Sequence, residues 1–173
     1  QKATKKDFFE NIKTSTIIHF AGHAIMELDS PMYSKLLMAP AAAKDNQDNQ
    51  EKDDTGELYA YELYNHKFSY TRLVILAACH SVNGKSIVGE GIASLARPFL
   101  SNGVPTVIGS LWNANDKASS KLFIAFHKSR LSGKNAIEAL RLAQLSLIND
   151  PSTKVNAPTM WAPFLVVGAS TKN

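Results

Sequence analysis

The apolar residues of this chain fall into two alternating kinds of pattern. Residues 16–20, 73–78 and 106–111 are short, nearly unbroken apolar runs, expected to be buried parallel strands, and residues 164–167, ending at Gly168, read as a fourth. Between them the period lengthens. Ile92, Leu95, Ala96, Phe99 and Leu100 recur at helical spacing and predict one apolar helix face. Leu122, Phe123 and Phe126 mark a second helix stopped near Gly133. Ile137, Leu140, Leu147 and Ile148 mark a third, ended by Asn149, Asp150 and Pro151. Strands alternating with helices predict an α/β fold with an open, mostly parallel sheet flanked by helices. Residues 40–56 interrupt the order with a polar, acid-rich stretch, expected to be a mobile loop that mild trypsin cuts first.

Length and composition narrow the class. The 173 residues suit a single domain with a sizeable core. No window approaches the ~18 to 20 apolar residues of a membrane span, so no membrane partner is expected. The amino-terminal residues do not read as a signal peptide, because Phe8 and Phe9 are followed by Glu10. The first residue is Gln1 rather than Met, and the chain is expected to begin inside a longer protein. A single cysteine excludes an internal disulfide and a cysteine-based zinc cage, which makes a cytoplasmic location the expectation. The net charge of +4 is uneven: residues 44–57 hold six acids against two lysines, a net of −4, so the remainder carries +8. Its basic residues are scattered without interleaved aromatics, and no nucleic-acid partner is expected.

In open α/β sheets, sites form beyond the carboxyl ends of the strands. Those ends carry Gly22 and His23, Cys79 and His80, and residues 112–116. Around Cys79 two chemistries compete. Residues 79–86 (CHSVNGKS) match a phosphate-binding loop except at its first position, where cysteine replaces glycine. That glycine lets the backbone curl around the anion, and no downstream apolar strand ends in the Asp that usually partners magnesium. The alternative is a nucleophile. A lone cysteine is most often a small buried hydrophobe, but at a strand's carboxyl end, beside a histidine, its thiolate fraction rises. His23 is the candidate base. His19, four residues earlier on a strand, would stand roughly 13 Å from it, too far to share a metal ion, and is expected to be a packed or hydrogen-bonded strand residue.

Five blocks taken in order, "IIHFAGHA", "LVILAACHSVNG", "GEGIASLARPFLSNGVPTVIGSLWNANDKAS", "AIEALRLAQLSLI" and "WAPFLVVG", resemble the CHAT domain family. Its members are caspase-like cysteine peptidases related to separase and often joined to tetratricopeptide repeats. The resemblance covers nearly the whole chain except the acidic loop. It implies a single CHAT peptidase domain over residues 1–173, the carboxyl-terminal catalytic portion of a caspase-type sheet whose first strands precede Gln1. It also implies a protein substrate and a sensor domain of tetratricopeptide repeats, upstream or in the same chain.

Carried over by position, the resemblance makes His23 the general base and Cys79 the nucleophile, with the backbone N–H groups of Ala24 and Cys79 as the oxyanion donors. Family members often have glycine where this chain has Ala24. Trp112 and Asp116, in "SLWNAND", match the block that forms the pocket for the residue before the cleaved bond, where an acid favours a basic side chain, and an extended substrate is expected to pair with the backbone of Ser110, Leu111 and Trp112. Asp116 reads equally well as the cap of the helix that follows. His80 and Ser81 depart from the Glu and Thr of many members, and Pro98 sits inside a predicted helix, where it should bend it. The expected function is a cysteine endopeptidase needing no metal or organic cofactor. A catalytically silent interaction module is the alternative, and a nucleotide binder a more distant one.

Overall fold

The computed structural model describes residues 3–27, 29–41, 55–81, 90–151 and 157–169, with the side chains of 79–81 and 90–94 outside that description. Most of the acidic stretch (42–54) and most of the phosphate-loop pattern (82–89) therefore lie outside the described residues. In chain order the elements are α1 (Lys5–Asn11), β1 (Ile17–Ile25), a 3-10 turn (Pro31–Tyr33), β2 (Lys35–Leu37), β3 (Glu57–Tyr59), α2 (Ala60–Leu63) and β4 (Leu73–Ser81). There follow α3 (Glu90–Ser101), β5 (Thr106–Ser110), α4 (Asp116–Leu131), α5 (Ala136–Ile148), α6 (Pro158–Trp161) and β6 (Phe164–Gly168).

The six strands form one open sheet in the order β3-β2-β1-β4-β5-β6. Its centre, β1-β4-β5, is parallel, as the apolar runs predict. The fourth run, β6, pairs antiparallel with β5, and β2 and β3 add an antiparallel hairpin beside β1. A continuous apolar run signals burial on both faces but carries no strand direction. The short β2 and β3 hold too few apolar residues to stand out.

Strand β4 shows how the runs are used. Val74 and Leu76 pack into a core built with α1, α2 and α3, whereas Leu73 and Ile75 enter a second core under α4 and α5. Both faces of the strand are thus removed from water, each large side chain contributing about 1.5 to 3 kcal/mol. In α3, Leu95, Ala96 and Phe99 are buried as the spacing requires. The helix carries Pro98 internally and is closed by Asn102, whose amide donates to the Pro98 and Leu63 carbonyls at 2.9 and 3.2 Å. Helix α5 buries Ala136, Ala139, Leu140, Ala143 and Leu147, while Ile137 and Ile148 face water. The small alanines, rather than those isoleucines, let α5 lie close against α4. Helix α4 ends before Gly133, whose φ of 85° is one that favours glycine.

Candidate active site

Two strands run further than their apolar content indicates. The predicted run at 16–20 continues through Ile25, and the run at 73–78 through Ser81. Ala21, Gly22, Ala77 and Ala78 are small, so the apolar signal fades while the ladder persists. The extension places His23 and Cys79 within strands rather than just past their ends. At Gly22 the Phe20 ring lies over the backbone, so a Cβ there would stand 2.9 Å from its Cζ and push the ring aside.

Strands β1 and β4 stay in register over nine positions, from Ile17 opposite Leu73 to Ile25 opposite Ser81. His23 and Cys79 are direct register partners in that ladder, so their backbones are separated only by the ~4.8 Å between neighbouring strands. On the other side, β4 pairs with β5 only as far as Leu76 opposite Gly109. Residues 77–81 thus run past the end of that pairing, at the kind of crevice where open α/β sheets hold their ligands. Ser110, 3% exposed, closes the step: its hydroxyl donates to the Ala78 carbonyl at 2.8 Å.

A cleft of about 710 Å³ opens between β1 and α4. Its floor exists because the register partners Ala21 and Ala77 are both small, while Phe123 and Ile124 form a wall. His23 is exposed and lines the cleft, as does Asp116. The cap of α4 is Asn115, whose side chain accepts from the Ala118 N–H at 3.1 Å. Asp116 is therefore the first helical residue rather than the cap, and its carboxylate is left on the cleft side.

Deeper along the same wall, His19 Nδ1 lies 3.1 Å from His127 Nε2, joining β1 to α4. One ring donates and the other accepts, so the facing nitrogens hold a single proton. His19 keeps some surface open to the cleft, but its ring packs 4.8 Å from that of Phe123. Burial against these rings, and then the charge of His127, pull its pKa down to about 4. His127 is lowered for the same first reason, and next by Arg130. Both rings are neutral at physiological pH. His19 is thus hydrogen-bonded as the sequence indicates, and its partner His127 was not foreseen. A usable signal existed: Asp116, Ser120, Phe123, His127 and Leu131 recur at helical spacing, and all of them line the cleft.

The other sequence candidates sit apart from the cleft. Ala24 is 3% exposed and packs into the core of the opposite face, its backbone held between Leu36 of β2 and His80 of β4. The Leu111 N–H donates to the Pro163 carbonyl at 2.7 Å, and Ser110 is the register partner of Phe164, so β6 occupies that edge of β5. Trp112 directs its indole N–H at the Thr159 carbonyl, 3.4 Å away, tying the segment after β5 to α6. Among the described residues no group of three or more potential metal ligands comes together, and no helix is long and apolar enough to cross a membrane.

An open sheet with a parallel centre, helices on both faces and a crevice at its carboxyl edge defines a caspase-like α/β domain. The CHAT domain family model matches residues 1–169 of the 173. This chain belongs to that caspase-like family. None of the curated proteins matches it.

Proposed function

We propose that this CHAT domain is a cysteine endopeptidase whose dyad is His23 and Cys79. The observation that carries the reading is their register: a histidine and the chain's single cysteine are backbone partners on adjacent parallel strands, and the histidine lines an open cleft. Leu73, Ile75 and Ala77 of β4 belong to the α4 face of the sheet, and His23 lines the cleft on that same face.

In this mechanism His23 takes the thiol proton and the Cys79 thiolate attacks the carbonyl carbon of the substrate peptide bond. The oxyanion is received by the backbone N–H groups of Cys79 and Ala24. For Ala24 this requires a ladder bond of β1 to yield when substrate enters, because a residue inside a sheet directs its N–H at a neighbouring strand. His23 returns its proton to the leaving amine, which departs with the C–N bond electrons. Water, losing a proton to His23, then attacks the thioester and releases the acid and the thiol. Asp116, on the cleft wall, is the group that would pair with a basic side chain before the cleaved bond. Tetratricopeptide repeats, often joined to domains of this family, are the expected sensor partner, and the cytoplasm the expected compartment.

The test is direct. The purified chain is incubated with a mixture of denatured proteins and the new amino termini are sequenced. Parent protein should generate them, predominantly after Arg or Lys, and Cys79→Ala should generate none. Equal cleavage by parent and Cys79→Ala overturns the nucleophile, and no cleavage by either favours a module that only binds.

A further inference from the structure

The end of β4 presents a mechanical problem. Beyond Leu76 the strand has lost β5 as a ladder partner, yet Cys79 stands three residues further on. The carbonyl next to that cysteine in the chain, Ala78, is the group that Ser110, a buried residue, engages through a 2.8 Å bond from its hydroxyl. Ser110 is itself fixed. It is the register partner of Phe164 in β6, and the Phe164 carbonyl accepts from Gln144 Nε2 of α5 at 3.0 Å. Helix α5, β6 and β5 thus brace one hydroxyl against the peptide that precedes the cysteine.

We propose that Ser110 is a positioning residue for Cys79, substituting for the ladder bond that β5 no longer supplies, rather than a group that touches substrate. The proposal deepens the dyad reading given above and rests on it for its catalytic consequence. Its physical basis is the narrow tolerance of a paired thiolate. Stabilisation by His23 and by local N–H dipoles depends on where the sulfur-bearing backbone sits, and a displacement of about 1 Å costs on the order of a hundredfold in a positioned reaction. Leu111 and Trp112 are tied elsewhere, to Pro163 and Thr159. Within residues 110–112 the hydroxyl of Ser110 is the polar side-chain group bonded to the β4 backbone, at Ala78.

The chain's single cysteine makes the test clean, because alkylation by iodoacetamide reports Cys79 alone. Rates are measured between about pH 5 and 9 for the parent and for Ser110→Thr and Ser110→Val, two variants of nearly equal shape of which only the first keeps a hydroxyl. Melting temperatures are recorded alongside. Ser110→Val should alkylate about fivefold more slowly near neutral pH, with the midpoint of its pH profile moved upward, and Ser110→Thr should lie closer to the parent. Any peptide turnover should fall through kcat with KM little changed. If Val and Thr share one pH profile while differing in melting temperature, the hydroxyl only stabilises the fold and the proposal is overturned. Failure of the dyad itself shows differently, as a parent whose Cys79 reacts no faster than free cysteine.

Discussion

The two faces of the sheet are built from the same strands and serve different ends. On one, Phe68 and Phe99, both 0% exposed with ring centroids 5.1 Å apart, lie in a core that α1, α2 and α3 close over. On the other, α4 and α5 bury Phe123, Phe126 and Phe164 above β4, β5 and β6, but their cover thins over β1, where Phe123 and His127 meet His19 and the cleft opens beside them. Alternate residues of that one strand record the difference. Ile18, Phe20 and Ala24 pack inward on the closed face, whereas Ile17, His19, Ala21 and His23 are exposed on the open one. Coverage, more than composition, sets where water and substrate can reach the sheet.

Substitutions on the two faces should separate activity from stability. The largest effect is expected on the open face: His23→Ala should lower peptide turnover by about a thousandfold or more with an unchanged melting temperature. A drop in melting temperature equal to that of a core variant would make His23 structural. On the closed face, Phe99→Ala should cost about 3 to 5 kcal/mol in denaturant unfolding, whereas Ile124→Ala, at a residue 55% exposed, should stay within about 0.5 kcal/mol. Similar costs at both positions would mean that the cleft wall is a core.

Asp116 sharpens the comparison further. As a carboxylate on the open side it should set preference, so Asp116→Ala should lower the ratio of kcat/KM for Arg over Leu before the cleaved bond by about tenfold. Since Asn115 supplies the cap, the same change should leave the melting temperature nearly unmoved. A falling melting temperature with a constant ratio would place the preference elsewhere.

A smaller effect follows from the histidine pair. His19 has a folded pKa near 4 against 6.5 in the unfolded chain, and His127 shifts in the same direction. Between those values the unfolded chain binds protons that the folded one refuses. The contribution is therefore whole above the unfolded value and is lost as pH falls from about 6.5 to about 4. Arg130, close to His127 on α4, opposes added positive charge in the same sense. Melting temperature followed against pH should fall more steeply over this window in the parent than in a His19→Gln, His127→Gln double variant. Parallel curves would remove the pair from the account.

The central strands were legible because residues 73–78 and 106–111 are short, mostly apolar runs, and their parallel direction because helical patterns alternate with them. What escaped was whatever depends on partners rather than on local pattern. The direction of β6 is fixed by its pairing with β5, and β2 needs the hairpin with β3 to exist. The candidate residues were legible by position, His23 and Cys79 each following an apolar run. Their register was not, because a ladder extending through Ala21, Gly22, Ala77 and Ala78 leaves almost no hydrophobic trace. His127 stayed hidden for a third reason. A histidine on a helix face acquires meaning only when another strand's histidine arrives opposite it.

The hairpin on the far flank has a practical use. The Met38 N–H donates to the Gly56 carbonyl at 2.7 Å and the Ala39 N–H to the Ala3 carbonyl at 2.9 Å, so the two ends of the intervening segment are clamped where they leave the sheet. Gly56 has a φ of 76°, and a Cβ there would run into the Met38 carbonyl, so this clamp is specific to glycine. Lengthening a closed loop costs only about 0.6 kcal/mol per doubling. A fluorescent reporter spliced between Ala41 and Thr55 should therefore leave β1 in register, giving the domain an optical handle on the hairpin that flanks the strand carrying His23.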